Sequence, residues 1–578
     1  MNSKTIIKGK DRDLESSISI MQTNLEILKM RVKEVSSLHP LPFVYSIFIQ
    51  NELSNVIFTN GKGSCEKSSL ASALGEYFER LSCNYFFADY YLGEDIINGD
   101  FIHYPNEKWF KVDNNKFPKN LLTQKLWKYY NCDNQLSLED LFDFNIGIDS
   151  RGICALPFIS QKDNKEIYFP VNILNNLYVS NGMSAGNTEA EAKVQALCEI
   201  FERFVKNKII SKGISLPKIP QIVIDRYPHI KQSIQKLINY GYSLDICDAS
   251  LGGVYPVICV TLINHKDASV FASFGSHPCF EIALERTVTE LLQGRKVDMM
   301  DDFLPPSFDL EAVASPHNLE EHFINSSGLI SYDFFKEKSD YEFVDWNYDS
   351  NTSSEFEYLA QIVDDMNLDI YIASYKHLNI YACRIIIPQM SEIYPVDDLL
   401  WSNNNEGAYF RESILSLKTL SSDELIDLLE NLEEYDDMRN VMEFIGIIPD
   451  EDSAYKTLQI GELKAMIYLA LKYYDEAREW VSWCVDIATL DDKRKIIYNC
   501  LSALIDIKLD EDKSLSDYKE ALIMLYRKDI FDISISIMQT KEIFYGLDSC
   551  GLDLNFFKSH QALLKEYQKV QEAKRSII

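Results

Sequence analysis

A chain of 578 residues that is 46% hydrophobic, 12% aromatic and 25% charged, with no low-complexity tract, is expected to fold almost throughout and into at least two domains. Its formal net charge of −31 argues against non-specific nucleic-acid binding, because a phosphate backbone would be repelled at long range. The opening "MNSKTIIKGKDRDLESS" lacks the apolar stretch of a secretory signal, and no apolar run reaches membrane-spanning length. The expected setting is therefore cytoplasmic, with no membrane and no direct nucleic-acid partner.

Along the chain, "FVYSIFIQ" (43–50), "YPVICVTLIN" (255–264) and "YACRIIIPQ" (381–389) are β-branched or aromatic runs of strand length. Helical stretches lie between them at 66–86, 188–208 and 281–295. His103 sits among aromatics in "HYPNEKWF" and is expected in a packed surface turn. After Pro449 the composition changes: no proline follows, and only Gly461, Gly546 and Gly551 remain. Ser421 and Glu424 stand at capping-box spacing ahead of "DELIDLLENLEE". An all-helical region is expected from near 410. Its "YYDEAREW" and "DYKEALIM" phrases, 44 residues apart, look like a degenerate tetratricopeptide-type repeat, whose regular period is about 34. The twelve cysteines show no CxxC and no zinc spacing, so reduced and mostly buried thiols are expected. Cys65 and Cys198 lie near the motifs described next, but no neighbouring base marks either as catalytic.

Two phrases nearly repeat, "ASALGEYFER" (71–80) and "VQALCEIFER" (194–203). At about 100° per residue, Ser72, Glu76 and Glu79 share one helix face, with Arg80 beside them and Leu74, Phe78 and Leu81 opposite. The second copy aligns Gln195, Glu199, Glu202 and Arg203, with Glu191 two turns earlier. A third stretch, "FEIALERTVTELLQGR" (280–295), aligns Arg286, Glu290 and Gln293. A solvated face has no reason to keep this spacing three times. Carboxylates pooled without cations would raise one another's pKa, so positive charge is expected between them. Magnesium shared with a nucleotide's phosphates, with arginines on phosphate oxygens, answers that need. No Walker A spacing is present; "NGKGSCEKSS" (60–69) breaks it.

These residues resemble the three ATP-binding motifs of the YcaO family. "GKDRDLESSI", "FTNGKGSCEKSSLASALGEYFERLS", "FIHYPNEKWF" and "LYVSNGMSAGNT" extend the resemblance along nearly the whole chain, toward the family's free-standing enterobacterial branch. The resemblance implies an α+β fold: an ATP-binding domain over 1–405 with pseudo-repeated sheet/helix halves, then a helical, tetratricopeptide-like domain over 406–578. It implies ATP and Mg²⁺ as cofactors and phosphorylation of a backbone amide oxygen as the chemistry. Carried over, Glu76, Glu79, Glu199, Glu202 and Glu290 face the metal. Ser72, Glu191, Gln195, Arg203, Arg286 and Gln293 contact or support the nucleotide. Lys10 and Ser17 join them by resemblance alone, since by sequence they are an ordinary lysine and a helix-end serine. No catalytic residue is implied beyond this site. The implied partners are a protein or peptide substrate, with a ribosomal protein and its methylthiotransferase as candidates, and a second copy in a homodimer. Heterocycle-forming members end in a proline-rich tail, whereas this chain ends "YQKVQEAKRSII", which leaves peptide cyclodehydration open. Two other functions compete: a non-enzymatic ATP-binding adaptor acting through the helical region, and a metal-dependent phosphohydrolase without amide chemistry.

Overall fold

The structure is a computed structural model and describes residues 4–112, 117–143, 151–297, 300, 303–403, 406–552 and 554–575. Its strands are β1 (Val32–Leu41), β2 (Val44–Asn51), β3 (Phe58–Gly63), β4 (Lys108–Phe110), β5 (Ile153–Ser160), β6 (Glu166–Pro170), β7 (Met183–Gly186), β8 (Tyr242–Asp248), β9 (Val257–Asn264), β10 (Ser269–Ser276), β11 (Tyr371–Tyr375) and β12 (Tyr381–Ile386). β1–β2–β3 and β8–β9–β10 are separate antiparallel meanders. A third sheet has the order β4–β5–β11–β12–β7, with β6 paired to β5. Among the described residues no strand follows β12, so the chain is α+β and its last third is helical.

The fold explains the repeated phrase. Each meander runs out of its last strand into a helix, Glu66–Ser82 after β3 and Phe280–Glu290 after β10, while β7 leads into Glu189–Lys212. In all three helices the apolar face is buried, as at Leu74, Phe78 and Leu81, Leu197 and Phe201, and Leu284 and Val288. That burial fixes which face the acidic stripe presents. The third helix ends at Glu290, so Gln293 lies in the turn beyond it and not on the helical stripe.

Strand and helix approach closely enough to require glycine. A Cβ on Gly61 would lie 2.0 Å from the Ser69 carbonyl oxygen and 2.3 Å from the Ala73 nitrogen. On Gly275 it would lie 2.3 Å from Thr287 Oγ1 and 2.8 Å from the Ala283 carbonyl oxygen. Backbone cannot give way as a side-chain tip can. Gly61→Ala is therefore expected to cost about 3 kcal/mol, the upper end for overpacking, read as a lowered thermal unfolding temperature. An unchanged transition would show that β3 and its helix are looser than this packing implies.

The domain boundary expected near residue 405 is not a break in the core. One apolar cluster joins Met21, Leu74, Phe78 and Leu81 to Leu428, Ile460, Leu563 and Tyr567. The last helix, Lys558–Arg575, threads polar groups into the same region. Asn51 donates to Glu566 at 2.8 Å, and Lys574 Nζ donates to Asn84 Oδ1 at 2.5 Å and to the His103 carbonyl oxygen at 2.8 Å. His103 is thus not in a surface turn. It is 4% exposed and bonded to Asp143, because a helix more than 450 residues downstream covers it. Helices Tyr474–Asp486, Asp492–Leu509, Leu515–Tyr526 and Lys528–Met538 share a separate apolar cluster. The capping box at Ser421 and Glu424 forms as its spacing predicts. All twelve cysteines are free thiols, nine of them buried. Among the described residues no helix is long and apolar enough to cross a membrane.

Candidate nucleotide and metal site

The three stripes face a common cleft of about 450 Å³. All thirteen residues singled out from the sequence line it: Lys10, Ser17, Ser72, Glu76, Glu79, Glu191, Gln195, Glu199, Glu202, Arg203, Arg286, Glu290 and Gln293. None of the stripes points into bulk solvent.

Within the cleft, acidic and basic side chains alternate. Arg80 reaches Glu76 at 3.3 Å and Glu79 at 3.5 Å, and Arg203 approaches Glu199 at 2.8 Å. Arg286 donates to Gln195 Oε1 at 2.5 Å, so the second and third stripes touch directly. Gln293, though past its helix, still enters the site by donating to the Asn60 carbonyl oxygen at 2.8 Å. Burial, reinforced by Glu199 and Glu76, drives the Glu79 carboxyl well above its ordinary pKa in spite of Arg80 and Arg203. Negative charge at this depth is costly for the protein by itself.

The N-terminal segment closes one end. Lys10 lies 3.2 Å from Glu191, whose carboxylate also accepts from the Asp11 backbone at 3.0 Å and from Asn187. Burial pushes the Glu191 carboxyl up, but Lys10 and these hydrogen bonds outweigh it and hold the group below its ordinary value. Ser17 donates to Asn187 at 2.7 Å. Both N-terminal residues therefore meet the cleft through Asn187 and Glu191, at the start of the second stripe helix.

Among the cleft residues missed in the sequence, one is a cation paired directly with a stripe carboxylate. Lys62, on β3, is paired with Glu290 and lies in the field of Glu202, Glu76 and Glu199. Burial pulls its pKa down to about 8, against the pull of Glu202, with Arg286 adding to the depression. The only signal was the GKG triplet of "NGKGSCEKSS", which was tested for Walker A spacing and set aside.

The donor set fits a metal-bound triphosphate. Arg80 Nη1 and Arg286 Nε are buried without a hydrogen-bond partner among the described residues. Among the described residues Glu202 has no hydrogen-bond or ion-pair partner, and it faces the cleft. Among the described residues no three carboxylate, imidazole or thiol groups come together closely enough to hold a metal alone. Magnesium does not ask for that, since it keeps waters and commonly takes one or two carboxylates with substrate phosphates.

Two family models match the chain: "YcaO cyclodehydratase, ATP- and Mg²⁺-binding" over residues 60–391, and "YcaO cyclodehydratase C-terminal domain" over 407–576. The chain belongs to the YcaO family. ATP and Mg²⁺ are the cofactors of that family's domain. The chain is 48% identical over 578 residues to the ribosomal protein S12 methylthiotransferase accessory factor YcaO of Escherichia coli K12, covering 99% of each chain. It is 46% identical to an uncharacterized protein of Haemophilus influenzae, covering 100% of this chain and 99% of that one. Among solved structures, YcaO from Methanopyrus kandleri bound with AMPPCP and Mg²⁺ aligns at 14% identity and a TM-score of 0.40, over 70% of this chain and 97% of that one.

Proposed function

We propose that this YcaO-family chain uses Mg²⁺–ATP to phosphorylate a backbone amide oxygen in a peptide or protein, in support of ribosomal-protein methylthiolation. The observation that carries the reading is the meeting of three acidic helix stripes, with Arg80, Arg203, Arg286 and Lys62, around one cleft. Glu76, Glu79, Glu199, Glu202 and Glu290 would hold the metal side of the nucleotide. Lys10, Ser17, Ser72, Glu191, Gln195, Arg203, Arg286 and Gln293 would hold or support its phosphates and sugar. Bound Mg²⁺ neutralises phosphate charge and aligns the transferred group. The chain's own part is to orient the nucleotide, exclude water and place guanidinium groups where negative charge develops. Glu79, which burial holds above its ordinary pKa, would be relieved of that cost by a cation bound beside it.

The name of the Escherichia coli relative, an accessory factor, favours a second reading in which ATP is a structural ligand of an adaptor. Steady-state phosphate release separates the two. Amide activation predicts turnover that disappears on Mg²⁺ chelation and rises when the protein substrate is supplied. Tight nucleotide binding with no turnover under either condition would select the adaptor.

A further inference from the structure

We propose that a second compartment, separated from the nucleotide cleft by Arg203, receives the substrate's backbone amide. This rests on the amide-activation reading above. The compartment has a volume of about 190 Å³, and Arg203 lines both it and the cleft. Its remaining wall comes from Tyr129, Asn181, Phe204, Asn207, Gln389 and Glu392, with Met390 beneath.

The lining has the chemistry of a peptide bond's complement. The side-chain amides of Asn207 and Gln389 make no hydrogen bond within the protein, among the described residues. Each offers one acceptor and two donors, as an amide N–H and C=O require. Phe204, Met390 and the Tyr129 ring supply apolar surface beside them. Glu392 is tied into the wall, where its Oε1 accepts from the Tyr129 hydroxyl at 2.8 Å, the Tyr178 hydroxyl at 2.9 Å and the Gln389 backbone at 2.9 Å.

The wall is also held in place at a cost. Val179, a β-branched residue, sits at φ 49° and ψ −117°, directly after the helical turn Leu174–Tyr178. Buried Arg384 holds that turn by donating to the Leu174 and Val179 carbonyl oxygens at 2.7 Å each. The chain then presents Asn181, which donates to the Ser391 carbonyl oxygen at 2.8 Å and accepts from Arg203 at 3.3 Å. Strain and a buried guanidinium survive where they fix something in position, and what they fix here is the Asn181–Arg203 partition. Arg203 in turn lies against Glu199 at 2.8 Å, so one side chain links the compartment to the acidic stripe. A neighbouring cavity of about 260 Å³ shares Tyr129 and Gln389 with it and is also lined by Lys125 and Lys128.

The test uses the full-length protein with Mg²⁺ and a non-hydrolysable ATP analogue, and trifluoroacetyl-glycine methylamide as a probe with two amide bonds and no side chain. Fluorine NMR line broadening reads its binding. Asn207→Leu and the solvent-facing Gln389→Ala are each expected to weaken probe binding at least fivefold while nucleotide affinity stays within twofold. Absence of binding to the wild type, or binding unchanged in both variants, overturns the proposal. So does a parallel loss of nucleotide affinity, which would make the compartment part of the nucleotide site. Failure of the amide-activation reading looks different: the probe binds as described, but peptide never alters ATP turnover.

Discussion

Glu76→Gln and Glu202→Gln are each expected to lower Mg²⁺-dependent ATP hydrolysis by about two orders of magnitude or more, the scale on which single preorganised charge-stabilising groups act. Glutamine keeps the shape of the side chain and an acceptor oxygen, so the change removes one negative charge and little else. At Glu202 the carboxylate has no hydrogen bond or ion pair of its own among the described residues, and the change removes its longer-range attraction for Lys62 and Lys206. At Glu76 the partner is Arg80, which keeps Glu79 as a second contact. Both variants should therefore unfold at the wild-type temperature while needing more Mg²⁺ to reach half-maximal rate. Glu66→Gln, exposed at the start of the same helix and outside the cleft, serves as the control and should turn over normally. Wild-type rates in both cleft variants would remove the acidic stripes from the chemistry and leave the phosphohydrolase and amide-activation readings without a site.

The stripes were legible because a helix converts spacing into a face by fixed geometry, and a buried apolar side leaves the polar side one direction to point. Their meeting in space was suggested by the repetition but depends on tertiary structure: β3, β7 and β10 each deliver a helix to the same place. Lys62 was not legible for the complementary reason. It lies on a strand, where a lone lysine between two glycines carries no periodic signal, and its partner Glu290 is 228 residues away. Gln293 was placed on a helix that ends three residues earlier, yet the turn brings it to the cleft through Asn60. His103 failed on distance in sequence as well. Its local aromatic turn is as expected, but Asp143 and Lys574 bury it. Composition found the onset of the helical region; it could not show that Leu563 and Tyr567 pack into the same core as Phe78.

That helical region contains the position where a single substitution should cost most stability. Arg494→Met is expected to destabilise the protein by about 3–5 kcal/mol, the range for removing one partner of a buried ion pair. Arg494 Nη1 lies 3.0 Å from both carboxylate oxygens of Glu462, which is fully buried, and its Nε reaches Asp491 at 2.8 Å. Without the guanidinium, Glu462 retains the Tyr498 hydroxyl at 3.2 Å and no cation. Burial already raises the Glu462 carboxyl to about 7 against the pull of Arg494, so loss of Arg494 raises it further. A carboxyl whose folded pKa exceeds its unfolded value binds more protons when folded. Its contribution to stability therefore falls as pH rises from about 4.5 through the folded pKa. The deficit of the variant should accordingly be smaller at pH 5.5, where Glu462 can be neutral, than at pH 8. Adding Glu462→Gln should recover much of the loss, because no charge is then left buried alone. Thermal unfolding at the two pH values, for the single and double variants, reads all three effects. An equal deficit at both pH values, or a double variant no more stable than the single, would show that Arg494 acts through packing and its contacts with Asp491 and Thr457 and not by neutralising Glu462.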